Sequence, residues 1–357
     1  MSGIKRFYGA VWRLIFTLVN IAIIALLLFF AMLYVTDPRT AADVASSCIS
    51  CKKPNVVIVN PLRDTDNDGR LTAKDWGIAI SPTTTEPKII PEVNPTKQQD
   101  MAVRRVNHYR TMVGLDPVTL NRSINKAAEA HAQYSAQHAR LGHQEAQDED
   151  GFTGTWPWDR MKRFGYKEFA YVTEVASIRW SSDDSLLGIV PEWAVDGWMD
   201  TVYHRIPIIS PNVYEAGFGA SRVGEQVAYV MDFANPGFQE KKRIIYYPVD
   251  DQDGVPVEFT GDETPDPLPG KAYPVGYPIT VTFNGYGNIK IRNIGLTDTK
   301  GKKVEFYRLL PYSDNFIRDS LAIIPRHPLE NGTTYRVVVD ASADGKPIHL
   351  EWFFMTK

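Results

Sequence analysis

Residues 64–75, DTDNDGRLTAKD, gather four aspartates and one glycine into a single short stretch. A twelve-residue calcium loop takes oxygens from positions 1, 3, 5, 7, 9 and 12, the seventh through its backbone carbonyl, and needs glycine at position 6 for a sharp turn. Those positions hold Asp64, Asp66, Asp68, Arg70, Thr72 and Asp75, with Gly69 sixth and an apolar Leu71 eighth. A solvated acidic linker would scatter its aspartates and place glycine anywhere, so the spacing favours bound Ca2+. The only cysteines, Cys48 and Cys51, lie upstream as CxxC. That spacing suits a small disulfide loop, half of an intermolecular zinc site or a redox pair, and the disulfide is the preferred reading. Neither GxSxG nor HExxH occurs, so no serine nucleophile turn or zincin helix is recognisable.

These residues follow a run, LIFTLVNIAIIALLLFFAMLYV from Leu14 to Val35, that carries no charge and is long enough to cross a bilayer as a helix. Lys5, Arg6 and Arg13 precede it, which keeps residues 1–13 cytoplasmic and exports everything beyond. A cleaved signal is the rival reading, since Ala41, Ala42, Ala45 and Ser46 follow, but a signal core spans only about 7–15 residues. The expectation is a single-pass protein of the cell membrane with its bulk extracytoplasmic, or a secreted one if the segment is cleaved. A net charge of −3 gives no basic field for nucleic acid. The extended, proline-flanked PNVVIVNPLR before the acidic loop departs from a paired EF-hand. The loop resembles the isolated calcium loops of dockerin-like extracellular modules, which makes it a permanently filled clip rather than a sensor.

The exported chain divides by composition into a juxtamembrane segment 36–79, a Pro/Thr connector 80–98, a middle domain 99–238, a second Pro/Gly/acid-rich connector 239–276 and a tail 277–357. In the middle domain, Ala102, Val106, Tyr109 and Val113 share one helical face that Gly114 ends. Asn121 caps a second helix with the stripe Ile124, Ala128, His131, Ser135 and His138. DRMKRFGY and PEWAVDGWMDTV are further helices, the latter with Pro191 in its first turn. YEAGFGASRV and EQVAYVMDFA read as strands, and the second is apolar on both faces, which requires helices above and below the sheet. The fold class is α+β, a three-layer α-β-α sandwich followed by a β-sandwich, with an N-terminal transmembrane helix.

VNHYRTMVGLDPVTLNRSINKAAEAHAQYSAQ, then GH, RFGY, TEVAS, WMDTVYHR and YEAGFG, resembles in order the CAP superfamily of cysteine-rich secretory, antigen-five and pathogenesis-related proteins, most of all its bacterial SCP-like branch, over about residues 99–235. The resemblance implies a cleft lined by two histidines and two acids. His143 matches the first histidine, Glu174 the first acid and His204 the second histidine. Such a set could hold Zn2+ or another divalent ion, or move protons near neutral pH. Thr173 and Val175 replace the residues that flank the acid in the family, and Thr201 stands where the second acid belongs, with Asp200 or Glu215 as conceivable substitutes. Read without the family, His204 could simply cap a helix end. His131 reads as a satisfied core histidine, Glu145 as solvated, and His108 and His138 as helix-surface residues.

The tail alternates in short runs separated by turns such as Asn331-Gly332 and Asp344-Gly345, as in hairpins. HPLENGTTYRVVV…WFFMT resembles bacterial Ig-like domains, with His327 and His349 structural. VDDQDG at 249–254 lacks ligand spacing and reads as a turn. Three functions follow. The preferred one is a cell-surface protein that binds an apolar, lipid or envelope ligand. The second is a metal-dependent hydrolase, peptidase or wall-acting, using His143, Glu174 and His204. The third is an adhesive protein acting through its tail.

Overall fold

The computed structural model describes residues 55–56, 95–181, 188–237, 242–313 and 316–357. The apolar run 14–35, the CxxC pair and the calcium-type loop 64–75 lie outside the described residues. Among those residues no helix is long and apolar enough to cross a membrane.

The first part of the described chain is β1 (Asn55–Val56), α1 (Pro95–Met112), β2 (Thr119–Leu120), α2 (Arg122–His138), α3 (Pro157–Arg163), β3 (Tyr171–Trp180), α4 (Pro191–Met199), α5 (Arg205–Ile208), β4 (Glu215–Val223) and β5 (Gln226–Asn235). The punctuation read from the sequence is where it was expected. Gly114, at φ +70°, follows the end of α1, and Gly165, at φ +97°, follows α3. Asn121 caps α2 by accepting the Ser123 amide at 2.9 Å. One boundary differs: α1 begins at Pro95, inside the stretch expected as connector up to residue 98, because proline is well suited to a first helical turn.

The sheet runs β1-β3-β5-β4-β2. Its centre is antiparallel, with Glu174 opposite Asp232 between β3 and β5, and the short edge strands β1 and β2 run parallel to β3 and β4. Every residue of β5 is buried. On one face Val175, Phe218, Met231 and Phe233 join a cluster with Val106 of α1 and Trp198 of α4. On the other, Val172 and Ala234 pack with Ile124 and Ala127 of α2 and Met161 of α3. Helices thus cover both faces. The α2 backbone lies so close to β4 that a Cβ on Gly217 or Gly219 would come within 2.3 Å of it, which is why the strand carries two glycines there.

The stretch 239–276, expected as a connector, instead carries strands: β6 (Arg243–Tyr247), β7 (Gln252–Val255), β8 (Glu258–Phe259) and β9 (Val275–Gly276). Its prolines all lie in the turns between short strands, while Asp253, Gly254, Glu258 and Gly276 lie within the strands themselves. Asp250, in the turn read at VDDQDG, accepts the Phe353 amide at 2.9 Å and ties that turn to the last strand. The chain then forms β10 (Ile279–Asn284), β11 (Lys290–Asp298), β12 (Phe306–Leu309), β13 (Ser320–Pro325), β14 (Thr334–Ala343) and β15 (Lys346–Thr356). Two four-stranded sheets result, β12-β13-β10-β6 and β11-β14-β15-β7, with β8 and β9 as a separate small hairpin.

The β-rich region and the helical region share one interior. A single apolar cluster runs from Val106 and Tyr109 of α1 through Tyr247, Tyr277 and Phe283 to Trp352 and Phe354. Burial of this kind is the main favourable term in folding, so each region leans on the other. Arg205 pins the junction. Its buried guanidinium donates to the carbonyls of Met199 and Pro278, each at 2.7 Å, and lies 4.7 Å and 5.0 Å from the ring centres of Tyr247 and Tyr277.

Candidate functional site

Strand β3 delivers Glu174 to the sheet face that α2 and α3 cover, and there it meets polar side chains from both helices and from the loop after α2. His143 donates from Nδ1 to Glu174 Oε1 at 2.7 Å, and Arg160 of α3 donates to Glu174 Oε2 at 2.5 Å. Arg160 also donates to the His143 carbonyl at 3.0 Å, so one guanidinium fixes both partners. His131 of α2 has Gly142 O 2.7 Å from Nε2 and Glu145 Oε1 3.0 Å from Nδ1. Both of those partners only accept, so both bonds form together only on the doubly protonated ring.

His131 is therefore the satisfied buried histidine the sequence implied, but it stands inside the site rather than apart from it. Glu145 corrects its expectation. It is 2% exposed rather than solvated, accepting from the Thr153 amide at 2.6 Å and hydroxyl at 3.0 Å besides facing His131. The loop between α2 and α3 folds back over α3, and sequence spacing alone does not reveal that closure.

The electrostatics follow from burial and partners. Burial alone would raise the Glu174 carboxyl, but Arg160, His131 and His143 outweigh it and hold it well below the usual carboxylate range. Glu145 is likewise held low against its burial by His131 and Arg160. Asp232 goes the other way: burial first, then the charge of Glu174 opposite, push it well above its ordinary value. His143 is lowered, chiefly by burial, with Glu174 opposing and the charges of His131 and His204 adding to the depression. At neutral pH His143 is thus uncharged, with its proton on Nδ1 and its lone pair on Nε2.

His204 sits at the head of α5, where it does not cap the end of α4 as its neighbourhood in sequence allowed. Thr201, at the position of the family's second acid, donates to the Trp198 carbonyl at 2.8 Å and lies 3.3 Å from His204 Nδ1. The carboxylate on His204 comes from Glu263, in the loop between β8 and β9, with Oε1 2.9 Å from Nδ1. The two substitutes considered from sequence are engaged elsewhere. Asp200 accepts from the Tyr277 hydroxyl at 2.9 Å, and Glu215 accepts from Asn121 at 2.9 Å and Tyr166 at 2.5 Å. His138 bonds the Asp150 carbonyl at 2.8 Å, while His108, His327 and His349 are exposed.

The structure therefore brings His143 and Glu174 together and gives His204 a different carboxylate. Arg160, Asp232 and Glu263 were not singled out by sequence reasoning. Asp232 carried only the weak signal of a charge within an apolar strand, and Arg160 and Glu263 carried none. A divalent ion fits this arrangement poorly, because both oxygens of Glu174 are occupied and one of them faces a cation. Among the described residues no group of three His, Cys, Asp or Glu side chains could hold a metal ion.

The family model described as "Cysteine-rich secretory protein family" (CAP) matches residues 103–233. No curated protein matches the chain. Among solved structures, an outer surface protein from Borrelia burgdorferi aligns at 14% identity and TM-score 0.33, over 41% of this chain and 97% of its own. An extracellular SCP-domain protein from Bacillus anthracis aligns at 16% and 0.30, over 39% and 41%. A cysteine-rich secretory protein from Staphylococcus aureus aligns at 18% and 0.29, over 43% and 42%, so the match spans about two fifths of each of those two structures. The family model thus identifies residues 103–233 of this chain as a CAP domain.

Proposed function

We propose that the protein is a membrane-anchored, extracytoplasmic binding protein whose CAP cleft takes up an apolar or lipid-like envelope ligand and contacts its polar end through His143 and His204. One observation carries this reading: each of these imidazoles is held at Nδ1 by its own buried carboxylate, while Arg160 neutralises Glu174. The carboxylates serve the rings by drawing a proton onto each Nδ1, and at His143 the lone pair on Nε2 suits a ligand hydroxyl or amine as donor. A metal-dependent hydrolase would need Glu174 to coordinate or to take a proton from water, and a carboxyl held so acidic by a buried arginine is a weak base. In this reading the run 14–35 is the anchor, and the loop 64–75 binds Ca2+ as a clip.

The test uses the full chain purified in mild detergent, with metal analysis and mass spectrometry of whatever is retained. The expected result is an apolar ligand retained by the wild type and lost from the H143A/H204A double variant. Near-stoichiometric zinc together with a peptide- or wall-hydrolysing activity abolished in that variant would overturn the reading.

A further inference from the structure

We propose that Glu263 is a positioning residue for His204, so that the C-terminal β-rich region completes the cleft rather than acting as a separate module. The proposal rests on the cleft reading above. The Glu263 side chain is buried and its carboxylate is fully engaged. Oε2 accepts the Val202 amide at 2.8 Å, and Oε1 accepts the amides of Tyr203 at 2.7 Å and His204 at 3.0 Å, besides lying 2.9 Å from His204 Nδ1. Three backbone donors converge on the carboxylate as in an anion-binding nest. They hold it still, and the fourth contact falls on the ring. Thr201 Oγ1 donates its own proton to a carbonyl, so toward Nδ1 it too can only accept. Both neighbours of Nδ1 therefore demand a proton there.

The loop is built to make this delivery. Phe259, Leu268 and Val275 are buried in one cluster with Val202 and Tyr203, the two residues before His204. Gly261, at φ +88°, makes the turn that the Glu263 amide closes onto its carbonyl at 2.7 Å, and a Cβ there would meet the Tyr273 ring at 2.8 Å. Tyr273 in turn packs edge-on to Phe259 and donates to Asp266 at 2.5 Å. Apolar burial seats the loop on the turn that bears His204, and the carboxylate arrives with it.

A cap that only held the turn would leave the ring's tautomer alone, and that separates the two roles. Long-range proton–nitrogen spectra of the full chain in micelles, isotopically labelled on its seven histidines, read each tautomer directly. Wild-type His204 is expected with its proton on Nδ1. Glu263→Gln, whose amide oxygen still accepts, should keep that form, and Glu263→Ala should shift the tautomer ratio toward Nε2–H by about tenfold or more, the effect of one charge-assisted hydrogen bond. Unchanged His143 signals in both variants report an intact cleft. A wild-type His204 protonated on Nε2, or an alanine variant with unchanged tautomer, overturns the proposal. Ligand retention is scored separately: a tautomer shift without loss of ligand upholds the positioning role and removes the binding reading.

Discussion

Glu174 and Asp232 face each other across neighbouring antiparallel strands, both buried, one held ionised and the other held neutral. The asymmetry follows from what each can reach. Glu174 has Arg160 and His143 at 2.5 Å and 2.7 Å, whereas neither Asp232 oxygen finds a hydrogen-bond donor in the structure. Two like charges so placed cannot both persist in a low-dielectric interior, and the one with a cation keeps its charge.

Asp232 should therefore limit stability at neutral pH. Its folded pKa is raised, so its stabilising contribution is present below about pH 4, the ordinary aspartate value, and is lost as pH rises through the raised value. Asp232→Asn removes that loss. The melting temperature of the variant minus that of the wild type is expected to grow from pH 4 to pH 8 in thermal scans. A difference that stays flat or shrinks would contradict the assignment of the neutral acid.

Glu174 and Glu145 give the opposite trend. Both are depressed, so their contributions are present above about pH 4.5 and are lost as pH falls through their folded values. Glu174→Gln should cost about 3–5 kcal/mol at pH 7, because it leaves the buried Arg160 guanidinium without its carboxylate. Urea midpoints measured from pH 3 to pH 7 would give the wild type a steeper acid loss than the variant.

The approach of α2 to β4 is testable by adding one methyl group. Gly217→Ala would place a Cβ 2.3 Å from the backbone of Ile124 and Asn125. Helix and strand must part, at about 1–3 kcal/mol for an overpacked interior. Gly188→Ala, where a Cβ meets nothing within 4 Å, is the control expected to leave the urea midpoint unchanged.

Calcium provides a test away from the cleft. Calorimetric titration of the full chain is expected to show one site with a dissociation constant of about 0.1–1 mM, as for extracellular loops of this type. Asp64→Ala or Asp68→Ala should abolish the heat. No heat in the wild type would return residues 64–75 to the status of an acidic linker.

Much of the helical region was legible because its signals are local. Asn121 before α2, Gly114 and Gly165 after their helices, Pro191 opening α4 and the doubly apolar β5 each act through the backbone or the periodicity of a few residues. The extent of the β-rich region was not legible in the same way. Short strands such as β7 and β8 take their order from partners far along the chain, and their turn-forming residues looked like a linker.

The sequence alone determined that His143, Glu174 and His204 are the candidate cleft side chains, because their neighbours match an ordered family pattern. Only the tertiary structure decided which carboxylate meets which imidazole. Glu174 lies 31 residues from His143 and Glu263 lies 59 from His204, and both meetings depend on a shared core closing around them. Contact across such separations is set by which apolar faces bury one another, and that is a property of the folded whole rather than of any short stretch.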